Sequence, residues 1–201
     1  MALNMIRTSR IVYRGRRFVA GFAGDKRGVA AVEFAFIVPL MLLLLFGVID
    51  TSSGVAIDRK VTLTARTLSD LVSQGSQVTS TDISNFFKMG TAVMAPYAVT
   101  PTTMTQRITQ VTIDATKTVK VVWSYKGTIS GSSVTVTAGY SKDTVITTIP
   151  TDLLVPNTHL IWSEVTYTYK PITGYVMKTS IPLSEQTYTR PRQSEKVDYT
   201  S

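Results

Sequence analysis

The stretch RGVAAVEFAFIVPLMLLLLFGVID, which runs from Arg27 to Asp50, decides the fold of this chain. Between its two ends it contains a single charged residue, Glu33. A helix of this length spans roughly 33 Å, because each residue adds about 1.5 Å, and the hydrocarbon core of a bilayer is about 30 Å thick. The stretch therefore predicts one transmembrane helix, which we assign to residues 29–50.

Basic residues are concentrated before this helix. Residues 1–27 hold seven Lys and Arg against one acid, Asp25, in a chain whose net charge is +8. The positive-inside rule places such a basic end in the cytoplasm and the remainder of the chain outside. The charge therefore predicts a basic cytoplasmic leader, residues 1–28, and argues against nucleic acid as a partner, because the excess does not lie on the folded part.

A cleaved secretory signal peptide is the alternative interpretation of the apolar run. Such peptides have about 7–15 apolar residues and then a cleavage site of the small-x-small type, which Gly54-Val55-Ala56 would supply. The run found here is longer than that. Its length favours a retained membrane anchor.

Pro39 lies inside the predicted span. Its nitrogen cannot donate to the carbonyl oxygen of Ala35, so we expect a kink or a local loosening there. Transmembrane helices tolerate proline, and this is one interpretation. The other is a helix that must bend or partly unwind when it leaves the bilayer for a protein environment.

The residues around Glu33 resemble the processing site of type IV prepilins. In that family a basic leader ends in glycine and the fifth residue after the cut is glutamate. On this resemblance, the sequence KRG followed by VAAVEF would be cut between Gly28 and Val29, which makes Glu33 the fifth mature residue. The aromatic residue that follows is usually tyrosine in the Flp/Tad branch, and here it is Phe34.

The whole stretch is similar to the N-terminal segment of the TadE/TadG family of tight-adherence pilus assembly proteins. The length of 201 residues favours the shorter TadE/TadF pseudopilins within that family. The resemblance implies a membrane-anchored pseudopilin or minor pilin-like subunit that Flp/Tad pilus assembly, and hence adhesion, requires. It implies the inner membrane, a periplasmic C-terminal domain and no enzymatic activity. The implied partners are the lipid bilayer, prepilin peptidase, other pilin or pseudopilin subunits and the Tad secretion machinery.

The proposed cut gives Glu33 a physical role. A carboxylate at mid-membrane costs about 2.5–3.5 kcal/mol, and less near the interface, so Glu33 either reaches the headgroups or has a partner. The new amine on Val29 would lie one helical turn away, on the same or a packed helix. Glu33 and Phe34 would then set the assembly register. An uncut anchor that carries a periplasmic binding or envelope-modifying domain remains the alternative.

Beyond the span the sequence predicts an α+β fold. Apolar residues at helical spacing indicate that the membrane helix extends over residues 51–75, with a weak point at Thr51–Gly54. A second short helix is expected after Ser80-Thr81-Asp82 and should end before Pro96. These two helices would precede a mainly antiparallel sheet within a periplasmic domain, residues 76–201.

A period of two predicts the strands of that sheet, with one face in water. In the clearest case, apolar residues at 119, 121, 123 and 125 alternate with polar ones, and only Val122 departs from the pattern. The tail from Glu185 onward shows no period and is expected to be loose or packed at an edge. The predicted strands are Arg107–Ile113, 119–126, Val134–Ala138, 164–169 and Tyr175–Ile181.

Residues with catalytic or ligating chemistry are scarce. The chain has no cysteine, and its one histidine, His159, lies near Asp152, Ser163 and Glu164 in the sequence. One histidine with scattered carboxylates supplies too few ligands for a structural zinc site, so we expect no catalytic residue, metal or cofactor. Five aromatic residues are expected to pack in the sheet core and not to form a glycan- or partner-binding surface: Trp123, Tyr125, Trp162, Tyr167 and Tyr169.

Overall fold

A computed structural model describes residues 27–131 and 133–200 of the chain. These residues divide into two compact units, with the division between Val48 and Ile49. The architecture is α+β, as predicted. In chain order the elements are α1 (Arg27–Ser73), β1 (Gln77–Thr79), α2 (Ser80–Val93), β2 (Met104–Ile113), β3 (Val119–Ser130), β4 (Ser133–Ala138), β5 (Val145–Ile146), a 3-10 turn (Thr151–Leu153), β6 (Thr158–Tyr169), β7 (Ile181–Thr189) and β8 (Asp198–Thr200).

Helix α1 continues without interruption past the apolar run and ends at Ser73. The predicted extension is confirmed, and the expected weak point at Thr51–Gly54 is helical. A stripe of residues three and four positions apart is buried in the core, because such residues lie on one face of a helix. The stripe consists of Ile57, Val61, Ala65, Leu68 and Val72.

The sheet is antiparallel and has the strand order β4-β3-β2-β6-β7, with β5 paired to the end of β3. One face packs against α1 and α2, where Ile108 and Val165 join the helical residues in the larger core cluster. A separate pair, β1 and β8, is parallel. The larger core therefore lies between one face of the sheet and the two helices.

A β-bulge at Val122 corrects the predicted alternation in β3. Trp123 pairs with Gln110 and Val121 pairs with Val111, so Val122 has no partner across the ladder. A bulge shifts the side-chain period by one residue. Val121 consequently packs in the second core cluster, whereas Trp123 packs in the cluster on the helical side.

The second face of the sheet is not wet along its whole length, contrary to the prediction. The segment after β4 folds over it and brings Ile149 against Val111, Val119 and Leu160, which forms a second, smaller core cluster. Thr109 and Ser124 are also buried on this face, where their hydroxyl oxygens lie 2.7 Å apart. Buried hydroxyl groups can satisfy each other's hydrogen bonds in this way, so the threonine and serine residues of this face did not indicate contact with water.

Helix α2 begins earlier than predicted. Thr79 is its cap, and Ser80–Asp82 form the first turn. The Asp82 backbone N–H donates to Oγ1 of Thr79 over 3.2 Å, and the Thr79 N–H donates to Oδ2 of Asp82 over 2.9 Å. This capping box uses an aspartate where glutamate is commoner. Its hydrogen bonds, chiefly that from the Thr79 backbone, lower the pKa of the Asp82 carboxyl.

The C-terminal part of the chain differs most from expectation. The strand expected at Tyr175–Ile181 begins only at Ile181 and runs to Thr189, at the sheet edge beside β6. The tail is also fixed: the Trp123 indole Nε1 donates to the carbonyl oxygen of Val197 over 2.9 Å, and the Val197 N–H donates to Gln110 Oε1 over 3.1 Å. The expectation of a loose tail was wrong, and that of edge packing was right for β7.

Candidate assembly segment

The most hydrophobic part of α1 is not buried against any other described residue of the chain. A core helix of a soluble domain would be covered by its own protein, and this one presents large side chains such as Phe36 and Leu44 outward. The helix is therefore long and apolar enough to cross a membrane. An exposed apolar helix of this length requires lipid or other protein around it.

Gly28, Val29 and Glu33 lie in the first turns of this helix, and all three are exposed. A Cβ atom added at Gly28 would meet nothing within 4 Å, so no packing among the described residues requires glycine there. Val29 and Glu33 are four positions apart and share one helix face. No ion pair formed within the described part of the chain includes Glu33.

Phe34 and Pro39 continue the exposed surface of the same helix. The helix includes Pro39 without a break in its assignment, so a proline-induced bend there stays a prediction. The two residues thus lie on accessible helix surface.

Asp50, which ends the apolar run, has a fully buried side chain. Thr173 donates to both carboxylate oxygens: its backbone N–H lies 3.0 Å from Oδ1 and its hydroxyl 2.6 Å from Oδ2. The Tyr169 hydroxyl donates to the Asp50 carbonyl oxygen over 2.9 Å. A buried carboxylate needs such donors. Asp50 therefore ties the segment after β6 to α1, a contact that the sequence did not reveal.

Arg107, Glu164 and Tyr140 form a polar cluster on the outer face of the sheet. The Arg107 Nη1 atom lies 3.0 Å from Glu164 Oε2 and donates to the Tyr140 hydroxyl over 2.8 Å. Burial, and next the Glu164 charge, raises the pKa of Tyr140. Because each charged group already has its counterpart, the cluster is an ion pair on a sheet face and supplies no free acid or base.

His159 does not come together with its expected neighbours. The Ser163 hydroxyl donates to the Ala65 carbonyl oxygen over 2.6 Å, and Glu164 pairs with Arg107. Asp152 lies exposed in the 3-10 turn. Among the described residues, no group of three or more His, Cys, Asp or Glu side chains could hold a metal ion.

Replacing His159 by glutamine should reduce the loss of stability on acidification. Burial, followed by the nearby Lys196 charge, lowers the pKa of His159 below its ordinary value of 6.5. The unfolded chain therefore takes up the proton first, and stability is lost as pH falls below about 6.5. Thermal unfolding of the full chain in detergent at about pH 7.5 and about pH 5 measures this, and the variant should show the smaller decrease. A folded variant that loses function while its assembly contacts persist would instead indicate catalysis.

The aromatic residues pack inside the domain, as predicted. The Trp162 ring stacks between Tyr140 and Tyr188, with centroid distances of 5.5 and 6.0 Å. Trp123 and Tyr169 are buried on the helical side. They contribute to stability and do not form an exposed stacking platform.

The structure defines a class of protein: one exposed, membrane-length N-terminal helix whose later turns form the core of a small α+β domain. Residues 28–68 match the family model of TadE-like proteins, and the match covers α1 from Gly28 to Leu68 but none of the sheet. Over this segment the chain is similar to TadE-like proteins, which supports a role connected with the Tad pilus. No curated protein and no solved structure matches it significantly.

Proposed function

We propose that this chain is a membrane-anchored pseudopilin, a minor pilin-like subunit that Flp/Tad pilus assembly requires. One observation carries the proposal: a glycine preceded by basic residues and followed by a glutamate at the fifth position, within the TadE-like match and on an exposed helix. On this account the chain is a structural component and not an enzyme. It inserts in the inner membrane, and its sheet domain is periplasmic.

Prepilin peptidase would cut between Gly28 and Val29. The surroundings of Gly28 are compatible with this role, because no packing among the described residues requires glycine at that position. A protease that accepts only a very small residue at the cut would require it. Removal of the leader would free the helix from its basic cytoplasmic end, so that it can leave the bilayer for the other subunits and the Tad secretion machinery.

Glu33 would then act in assembly. It has no cationic partner among the described residues, and a carboxylate within hydrocarbon is stabilised when it is paired. The amine of Val29 on a neighbouring helix can provide that partner only at one axial stagger. Phe34 would pack at the same contact, and Pro39 would let the helix bend as its surroundings change from lipid to protein.

Replacing Gly28 by valine should leave the full-length protein in the membrane. The branched side chain would block the cut, and it has room in the helix, so folding should be unaffected. Immunoblots of membrane fractions with mass spectrometry of the N-terminus measure the cut. Gly24→Val, in the same leader, is the matched control and should be processed normally. Normal processing of Gly28→Val would exclude this cleavage site and favour an uncut anchor.

The proposed orientation has its own test. The basic residues before the apolar run support a cytoplasmic N-terminus. A periplasm-specific reporter fused after Ser201 should be active, and the same reporter fused before Arg27 should be inactive. The opposite pattern would contradict a single span with its N-terminus inside.

A further inference from the structure

The segment between β6 and β7 presents apolar side chains to its surroundings. Ile172 is 69% exposed, Tyr175 73% and Val176 42%. Lys170 and Lys178 bracket these three residues and are exposed as well. Large apolar side chains clustered on a short exposed loop usually mark a contact surface.

The depth of this loop relative to a membrane follows from Asp50. Asp50 directly follows the last apolar residue of the run, Ile49, and Thr173 in the middle of the loop donates two hydrogen bonds to its carboxylate. Met177 lines an apolar groove of about 290 Å³ that Asp50 and Tyr169 also line. The loop is therefore fixed at the level where the chain leaves the apolar run.

We infer that residues 170–178 lie in the interfacial layer of the bilayer, beside the point where α1 leaves it. The inference rests on the membrane span of the proposed function. Tyrosine is favoured at this depth because its ring is apolar and its hydroxyl group is polar. Lysines that flank it reach the headgroups and attract anionic lipids. The loop thus adds a second membrane contact to that of the anchor.

The absence of cysteine allows a direct test with single labels. Val176→Cys, Val145→Cys and Leu43→Cys each receive a fluorophore in the full chain. Val145 is the matched control: it is 54% exposed and lies in β5, which pairs with the end of β3 at Val119 and Lys120, whereas the β6 residues near Asp50 pair with the other end of β2. Leu43 reports insertion of the helix.

The labelled proteins are reconstituted in vesicles of phosphatidylcholine and phosphatidylglycerol whose acyl chains are brominated near the headgroup. We expect quenching at Leu43 and at Val176 and none at Val145. Quenching at Leu43 without quenching at Val176 would overturn the inference and leave the membrane anchor intact. A loop that contacted another subunit and not lipid would give this result. No quenching at Leu43 would contradict the anchor itself, and the inference with it.

A charge reversal tests the lysines separately. Lys170→Glu with Lys178→Glu should reduce quenching at Val176 and leave Leu43 unchanged. The matched control pair, Lys120→Glu with Lys142→Glu, lies near Val145 and should change neither signal. Equal quenching at Val176 in the two double variants would contradict attraction of Lys170 and Lys178 to anionic lipid.

Discussion

Replacing Glu33 by valine is expected to leave membrane insertion intact and to remove most surface pili. Insertion should not be impaired and should improve slightly, because a carboxylate costs about 2.5–3.5 kcal/mol at mid-membrane and less near the interface, where Glu33 lies. Assembly should fail because the amine of Val29 loses its partner, and an unpaired charge in a protein contact is strongly destabilising. The measurements are the membrane-bound amount of the variant and counts of pili on the cells that carry it.

Glu33→Asp is the graded control. The charge is retained on a shorter side chain, so the number of pili should lie between those of the native protein and of Glu33→Val. Phe34→Tyr, which restores the residue usual in the Flp/Tad branch, should keep assembly. Normal pili in cells with Glu33→Val would contradict the role of Glu33 in assembly. The alternative, in which its side chain only reaches the lipid headgroups, would then hold.

Replacing Phe87 by alanine should cost about 3–5 kcal/mol in the free energy of unfolding, the largest stability effect that we expect. Phe87 is fully buried, where α2 packs on the sheet. Gly127 lies directly beneath it, and a Cβ atom added there would lie 2.5 Å from Cδ2 of Phe87. Gly127→Ala should therefore cost about 1–3 kcal/mol through overpacking.

The two changes should not be additive. In the Phe87→Ala background the clash is gone, so Gly127→Ala should cost much less than in the native protein. Phe86→Ala, at the adjacent and only partly buried position, is the control and should show no coupling with Gly127. Urea unfolding of the full chain in detergent measures the three single variants and the two double variants. Additive costs would contradict this packing of α2 on the sheet.

The parts of the fold that sequence predicts well have local causes. Helix α1 could be predicted from an apolar run and then from apolar residues at helical spacing, because both patterns are local to a few helical turns. The second half of β6, residues 164–169, followed from its alternation, and the strand predicted at Arg107–Ile113 falls within β2. The expectation that His159 holds no metal rests on counting ligands, which needs no geometry.

The parts that sequence missed depend on distant contacts. Tyr175 and Val176 are typical strand residues, yet their loop is fixed through Thr173 to Asp50, and β7 starts only at Ile181. Val122 departs from its pattern because a bulge lies there, and the shift appears only once β2 is paired. The assembly segment is the reverse case: its residues were readable in sequence, but what they contact lies outside this chain.

The mass of the N-terminal peptide of the native, membrane-extracted protein tests the central claim most directly. The pseudopilin account predicts a mature chain that begins at Val29, with Glu33 as its fifth residue. A chain that retains the basic leader, or one that begins at any other residue, would contradict cleavage after Gly28 and the role in assembly that depends on it.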